Sequence, residues 1–94
     1  MLCPTPLHKL LDAQGRPTFL WDNDLTLDEF KALLASEDEE VAAYWTGTLM
    51  RQAKPDDALT LVPATRMRAL WPRLHRYLGR ERSFWTWYLD AAGE

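Results

Sequence analysis

Helical spacing of side chains over residues 37–53 is the feature that most constrains how this chain can fold. The side chains recur at intervals of three and four residues: Val41, Tyr44, Trp45, Thr48, Leu49 and Gln52. This spacing aligns them on one side of an α-helix. Residues 18–21 are too few for an independent strand, and no later segment alternates apolar and polar residues with a period of two. No partner strand is therefore available for a sheet. The pattern therefore predicts an all-α fold that includes one long helix.

Two capping boxes predict where two of the helices begin. The Thr26 hydroxyl and the Glu29 carboxylate can each accept a hydrogen bond from the other residue's backbone amide. Ser36 and Glu39 repeat the same spacing. The long helix is therefore expected to be capped by Ser36 and to span residues 37–53.

Glycine and proline residues divide the rest of the chain. Gly47 lies inside the long helix, where it either lets a neighbouring helix approach closely or is merely tolerated. Pro55 suits the first position of a short helix. In the helix after that, Pro72 is expected to cause a kink or a new start near Trp71. Gly79 is expected to end this helix.

These signals predict an all-α protein, a compact single domain of five or six short helices over residues 1–94. A short first helix is expected to be capped by Thr5. The segment that follows it is expected to be irregular and to be anchored on the core by Phe19 and Trp21. Residues 1–5 are expected to be loosely ordered.

Cysteine content and hydropathy limit the setting in which the chain works. The single cysteine, Cys3, cannot form an internal disulfide, which is typical of a reducing compartment. No run approaches the ~20 apolar residues that a membrane-spanning helix needs. The first residues lack the basic and apolar pattern of a secretion signal. We therefore expect a cytoplasmic protein without a membrane segment.

The net charge of −3 is unevenly distributed along the chain. Residues 1–62 contain eleven acidic and five basic residues, a net charge of −6, whereas residues 63–94 contain three acidic and six basic residues, a net charge of +3. The six basic residues of the second part are Arg66, Arg68, Arg73, Arg76, Arg80 and Arg82. Three interpretations are open: contact with nucleic-acid phosphates, pairing with carboxylates of a partner or of the chain's own acidic half, and a solvated helix face.

The acidic pair Asp22 and Asp24 resembles the start of a calcium-binding loop. The sixth position of that loop would be Leu27 instead of glycine, and the twelfth would be Leu33 instead of a bidentate glutamate. A calcium site is therefore not predicted. We expect Asp22 or Asp24 instead to fix the turn before Thr26 by accepting backbone amides.

The remaining reactive side chains form no pattern that is typical of catalysis or of metal binding. Cys3, His8 and His75 lie far apart, and no serine is set in a nucleophile elbow. The sequence therefore predicts no catalytic residue, no metal site and no cofactor, and it favours a protein that is not an enzyme.

Five tryptophans, three tyrosines and three phenylalanines are more aromatic residues than a core of this size can enclose. Some of them are expected on a surface, where aromatic side chains are typical of interfaces. In the last helix, expected over residues 81–92, aromatic residues cover more than one face. One of Trp85 and Trp87 is therefore expected to point outward.

Several short motifs occur together in this chain. They are Phe-Leu-Trp-Asp-x-Asp at residues 19–24, Leu-x-Leu-Val at 59–62, Leu-Trp-Pro-Arg-Leu at 70–74 and a tryptophan-rich end. Over residues 18–90 the chain resembles short bacterial proteins encoded beside nucleotidyltransferase-like toxins of the abortive-infection type. The resemblance implies an antitoxin or accessory subunit, with Trp21, Asp22 and Asp24 as a family hallmark.

The leading hypothesis is an antitoxin-like interaction protein that binds and neutralises a nucleotidyltransferase-type toxin. Its acidic helix starts would occupy a basic groove of the toxin, with exposed tryptophans as anchors. The alternative is a small nucleic-acid-binding transcriptional regulator that uses the arginine-rich face of residues 66–82. A third alternative is a small enzyme or accessory subunit that shares an active site with its partner, for which a metal-dependent activity lost on Asp22→Asn would be the support. All three allow a homo-oligomer. The residues expected to contact a partner are Trp21, Asp22, Asp24, Glu37, Glu40, Arg73, Arg76, Trp85 and Trp87.

Overall fold

The computed structural model of the protein describes residues 4–20 and 22–92. Over these residues it contains six α-helices, two short 3-10 turns and no β-strand. The helices are α1 (Leu7–Leu10), α2 (Leu27–Leu34), α3 (Glu39–Gln52), α4 (Pro55–Leu61), α5 (Ala64–Leu74) and α6 (Arg82–Ala92). The 3-10 turns, His75–Tyr77 and Gly79–Glu81, connect α5 to α6. The predicted all-α fold is confirmed.

Helix α3 is the centre of the domain and packs most extensively against α5 and α2. Its buried residues are Ala42, Ala43, Thr46, Gly47, Thr48, Leu49 and Met50. The predicted stripe is only partly correct, because Thr48 and Leu49 are buried but Tyr44 is 45% exposed. The small side chains of α3 are buried on several sides, so the helix lies between its neighbours. The predicted stripe would instead give α3 a single buried face.

The start of α2 follows the sequence prediction. The Glu29 amide donates to the Thr26 hydroxyl at 3.2 Å, and the Thr26 amide donates to the Glu29 carboxylate at 2.9 Å. This capping box satisfies amides that a helix start would otherwise leave unpaired. The helix places Phe30 and Leu34 in the core.

The start of α3 lies two residues later than predicted. Asp38 is the cap, and its carboxylate accepts from the amides of Glu40 at 3.0 Å and Val41 at 3.4 Å. The Ser36 hydroxyl instead accepts from the Asp38 amide at 3.1 Å. Ser36 therefore shapes the connection from α2 and leaves the first turn of α3 to a carboxylate, which the helix dipole favours.

The second half of the chain supplies a row of apolar side chains to the core. Met67, Leu70, Leu74 and Leu78 are buried against α3. Helix α5 continues past Pro72 to Leu74, so no new helix starts near Trp71. The chain then passes through the two 3-10 turns, and Gly79, the first residue of the second turn, has a φ of 55°. This left-handed conformation is the one expected of a helix-ending glycine.

The N-terminal segment is held to the core by two different contacts. Thr5 does not cap α1, because its amide and hydroxyl donate to the two carboxylate oxygens of Asp57 at 2.6 and 2.7 Å. The ring of Phe19 packs edge-on against Phe30 with centroids 5.8 Å apart, and Leu20 is buried. The aromatic anchoring expected of Phe19 is confirmed, whereas Trp21 lies outside the described residues.

Candidate partner-binding surface

A group of aromatic side chains covers the outer side of α6. Trp87 is 64% exposed, Phe84 is 37% exposed and Tyr88 is half-buried beside them. The ring centroid of Phe84 lies 6.1 Å from that of Trp87 and 5.9 Å from that of Tyr88. The three residues occupy positions i, i+3 and i+4, which share one face of a helix. We refer to Phe84, Trp87 and Tyr88 as the aromatic face of α6.

The neighbouring Trp85 belongs to the core and is not available to a partner. Its side chain is 1% exposed, and its indole N–H donates to the backbone carbonyl of Met50 in α3 at 3.1 Å. Leu89, one helical turn later, is also buried. The inclusion of Trp85 among the partner-contacting residues is therefore wrong. The expectation that one of Trp85 and Trp87 points outward is confirmed, and the outward residue is Trp87.

The carboxylate of Glu40 connects the first turn of α3 to the end of α5. Its Oε1 atom accepts from Arg76 Nη2 at 2.6 Å and from Arg73 Nη1 at 3.2 Å. Its Oε2 atom accepts from the Tyr77 hydroxyl at 2.9 Å. The Arg76 guanidinium also lies 5.2 Å from the centre of the Tyr77 ring, within the range of a cation–π contact. We call Glu40, Arg73, Arg76 and Tyr77 the ionic cluster.

These contacts change the proton affinity of the groups involved. The hydrogen bond from the Tyr77 hydroxyl, followed by that from Arg76, lowers the pKa of Glu40 below its ordinary value. The hydrogen bond to Glu40 in turn raises the pKa of Arg76. Both shifts favour the ionised pair, and the side chains remain accessible to solvent, at 41% for Glu40 and 56% for Arg76.

The ionic cluster alters the interpretation of three predicted partner-contacting residues. Glu40, Arg73 and Arg76 are paired with one another, so their charges are already partly neutralised within the chain. Pairing with the chain's own acidic half, one of the three interpretations of the arginine set, describes Arg73 and Arg76. The two arginines have correspondingly less free charge to offer a phosphate.

The other arginines have different surroundings. Arg68 donates from Nε to the Leu89 carbonyl at 3.4 Å and so connects α5 to α6. Arg66 is half-buried, whereas Arg80 in the second 3-10 turn and Arg82 at the start of α6 are exposed. Within residues 4–20 and 22–92, the guanidinium groups of Arg66, Arg80 and Arg82 form no hydrogen bond or ion pair. The arginine set is therefore not one uniform surface.

The four consecutive acids around the start of α3, residues 37–40, have different roles. Asp38 caps the helix. Glu39 pairs with Arg73 at 3.3 Å, which extends the ionic cluster. Glu37 is exposed and forms no hydrogen bond or ion pair in the described part of the chain. Of the two predicted partner-contacting glutamates, Glu37 is therefore the one whose charge is free.

The loop before α2 is fixed by a carboxylate that the sequence prediction did not identify. Asp12 Oδ1 accepts from the amides of Gln14 and Arg16, both at 2.9 Å, and Asp12 Oδ2 accepts from Arg16 Nε at 2.9 Å. The hydrogen bond from the backbone amide of Arg16 is the largest of the effects that lower the pKa of Asp12. This role could have been predicted, because an aspartate at the start of a glycine-containing turn commonly accepts from the backbone amide two residues later.

Asp22 and Asp24 were expected to accept from backbone amides, but no backbone amide of the described residues donates to either carboxylate. Asp24 pairs with Arg16 Nη1 at 2.6 Å, and its side chain is 87% exposed. Asp22 is exposed, and among the described residues its carboxylate accepts only from the side-chain amide of Asn23 at 3.1 Å. Both carboxylates therefore remain at the surface. The third member of the predicted hallmark, Trp21, lies outside the described residues.

The described residues form neither a metal site nor a membrane-spanning helix. Over residues 4–20 and 22–92, no three histidine, cysteine or acidic side chains are placed to hold one metal ion. In the same residues, no helix has the length and apolar content needed to cross a membrane.

Comparison of the chain with protein-family models, with curated proteins and with solved structures found no match. The surface therefore has to be interpreted from its own chemistry. Sequence analysis placed Trp87 on it but missed Phe84 and Tyr88. The spacing i, i+3, i+4 of these three residues was the signal that could have identified them.

Proposed function

We propose that this protein is an antitoxin-like interaction module that binds and neutralises a cognate nucleotidyltransferase-type toxin. The observation that carries the proposal is the aromatic face of α6, where Trp87 is 64% exposed between Phe84 and Tyr88. Tryptophan and tyrosine are the residues that most often dominate the binding energy of protein interfaces. The proposal gives the chain a binding role, with no catalytic one, and the binding is expected in the cytoplasm.

The class of partner comes from the resemblance of residues 18–90 to small proteins encoded beside such toxins. A toxin that handles nucleotides or RNA would carry a basic groove. Asp22, Asp28 and Glu37 are exposed carboxylates that form no ion pair with any other described residue. Their charge would steer the chain toward a basic partner and speed association.

The structure changes the proposed mode of binding. Glu40 was expected to enter the basic groove, but it is held by Arg73, Arg76 and Tyr77. A partner arginine would have to compete with these donors for the Glu40 carboxylate. We therefore assign the anchoring contact to the aromatic face of α6 and the steering to the free carboxylates.

The test is co-expression of the tagged chain with the product of the adjacent gene. A complex that co-purifies, together with recovery of growth in cells that express the toxin, would support the proposal. Trp87→Ala is expected to weaken the complex by roughly tenfold or more, since an interface hot spot contributes about 2 kcal/mol or more. Thr86→Ala, an exposed neighbour outside the aromatic face, is the matched control. Absence of both co-purification and growth recovery would contradict the proposal.

One observation favours the alternative of a small nucleic-acid-binding regulator. Arg80, in the turn before α6, and Arg82, its first residue, are exposed and lie close in sequence to the aromatic face of α6. Cations combined with aromatic rings are typical of surfaces that bind single-stranded nucleic acid. This alternative predicts gel-shift binding that weakens steeply with salt and that is lost on reversal of Arg80 and Arg82. Reversal of Arg73 and Arg76 tests the same alternative on the paired arginines.

A further inference from the structure

A trough lies between the last turn of α2 and the junction of α4 with α5. Its volume is about 570 Å³. The residues that line it are Lys31, Leu34, Ala35, Thr60, Leu61, Val62, Pro63 and Arg66. Aliphatic side chains therefore form most of its lining, with one lysine and one arginine among them.

A second depression of about 230 Å³ continues the trough toward α1. The two depressions share Lys31, Thr60 and Leu61 in their linings. The second one adds Leu7 and Leu27, and Leu7 is 63% exposed. The result is two adjoining apolar depressions that meet beside a lysine.

The charge of the trough is positive. Neither Lys31 nor Arg66 forms an ion pair in the described residues, although Lys31 lies in the part of the chain with a net charge of −6. The acid that lines the second depression is Asp57, and both of its oxygens accept from Thr5, at 2.6 and 2.7 Å. Asp57 is 5% exposed. The exposed charge on this surface is therefore that of the two cations.

We propose that the trough binds an amphipathic segment of a partner protein, which inserts two apolar side chains and sets carboxylates against Lys31 and Arg66. Two adjoining depressions with a cation where they meet fit two separate side chains better than one continuous hydrocarbon chain. An apolar segment in a groove is a common mode of peptide recognition. Carboxylates opposite the cations give the charge complementarity that selects such a segment.

This inference is independent of the proposed function. The trough contains no residue of the aromatic face of α6 and no member of the ionic cluster. The occupant is acidic and apolar, whereas the toxin groove considered above is basic. A failure of one proposal therefore leaves the other unaffected.

The experiment measures binding of a labelled peptide by fluorescence anisotropy. The probe is a short helical peptide with two leucines on one face, flanked by glutamates. The control probe has lysines in place of the glutamates. We expect the acidic peptide to bind the wild-type chain at least about tenfold more tightly than the basic one, with affinity falling as salt rises.

Two charge-reversed variants of equal net charge locate the binding. Lys31→Glu combined with Arg66→Glu is expected to weaken the acidic peptide by about tenfold or more, because attraction is replaced by repulsion at two positions. Arg80→Glu combined with Arg82→Glu, two exposed positions outside the trough, is expected to leave binding within about twofold. Unfolding curves establish that both variants are folded. Equal affinity for the two peptides, or equal loss in the two variants, would overturn the inference.

Discussion

A Cβ atom on Gly47 would lie 2.7 Å from the Cβ atom of Tyr77. Gly47 is in the middle of the central helix α3, and Tyr77 is in the 3-10 turn that follows α5. Real Cβ atoms do not approach a neighbour this closely, so the absence of a side chain at Gly47 allows the turn to pack on α3. Of the two interpretations of Gly47 that the sequence left open, close approach is the one that the structure supports.

Gly47→Ala is therefore expected to destabilise the fold, although alanine is the better helix former. The neighbouring atom belongs to the start of a side chain and moves only with its backbone. We expect a loss of about 1–3 kcal/mol in the free energy of unfolding, as for other overpacked sites. Urea unfolding measures it. Thr65→Ala, at an exposed position of α5, serves as control and is expected to change stability by no more than about 0.5 kcal/mol. A Gly47→Ala variant as stable as the control would contradict the packing described.

The contact between Thr5 and Asp57 ties the N-terminal segment to α4. Thr5→Val keeps the shape of the side chain but removes the hydroxyl that donates to Asp57 at 2.7 Å. A buried carboxylate oxygen then loses a donor, which costs about 1–3 kcal/mol. Thermal or urea unfolding measures the loss. The same substitution at the exposed Thr86 is expected to have little effect, and equal effects at both positions would argue against the tie.

The lowered pKa of Glu40 makes part of the stability dependent on pH. A carboxyl group whose pKa is lower in the folded state stabilises the fold above its unfolded pKa, and this contribution is lost as the pH falls through the folded pKa. The melting temperature of Glu40→Gln is therefore expected to lie below that of the wild type at neutral pH. The difference should shrink toward zero as the pH falls below the ordinary value of 4.5.

Glu37→Gln is the control for this pH series. Glu37 is exposed and unpaired in the described residues, so its variant is expected to follow the wild type at every pH. A difference for Glu40→Gln that did not change with pH would show that the ionic cluster does not contribute through the charge of Glu40.

Truncation of the two tryptophans of α6 is expected to reduce the free energy of unfolding by very different amounts. Trp85→Ala removes a side chain that is 1% exposed and is expected to cost about 3–5 kcal/mol. Trp87→Ala removes one that is 64% exposed and is expected to cost at most about 1 kcal/mol. Comparison of their unfolding free energies tests which tryptophan faces outward. Similar losses for both would contradict the orientation of α6.

Local signals in the sequence predicted the parts of the fold that depend on nearby residues. The Thr26 capping box and the start of α4 at Pro55 need partners only a few positions away. The helix-ending position of Gly79 likewise depends on the conformation of a single residue. These features are therefore readable without knowledge of the tertiary structure.

Features that depend on distant partners were predicted incompletely. Thr5 was predicted to cap α1 because it directly precedes Pro6. Its actual partner, Asp57, lies 52 positions away and leaves no local signal in the sequence. The sequence does not show which of Trp85 and Trp87 is buried, because the partner of the Trp85 indole N–H is the backbone carbonyl of Met50, 35 positions away. The charge split of the chain was visible, but the specific pairing of Glu40 with Arg76 depends on how α3 and α5 pack.

The central claim is that the aromatic face of α6 anchors a protein partner. The most direct measurement compares the complex formed by the tagged chain and the adjacent gene product for the wild type, Trp87→Ala and Thr86→Ala. The account predicts that the wild type and Thr86→Ala retain the partner with equal affinity, and that Trp87→Ala binds it at least about tenfold more weakly while remaining folded. No complex with the wild type, or equal affinity for Trp87→Ala and the wild type, would contradict it.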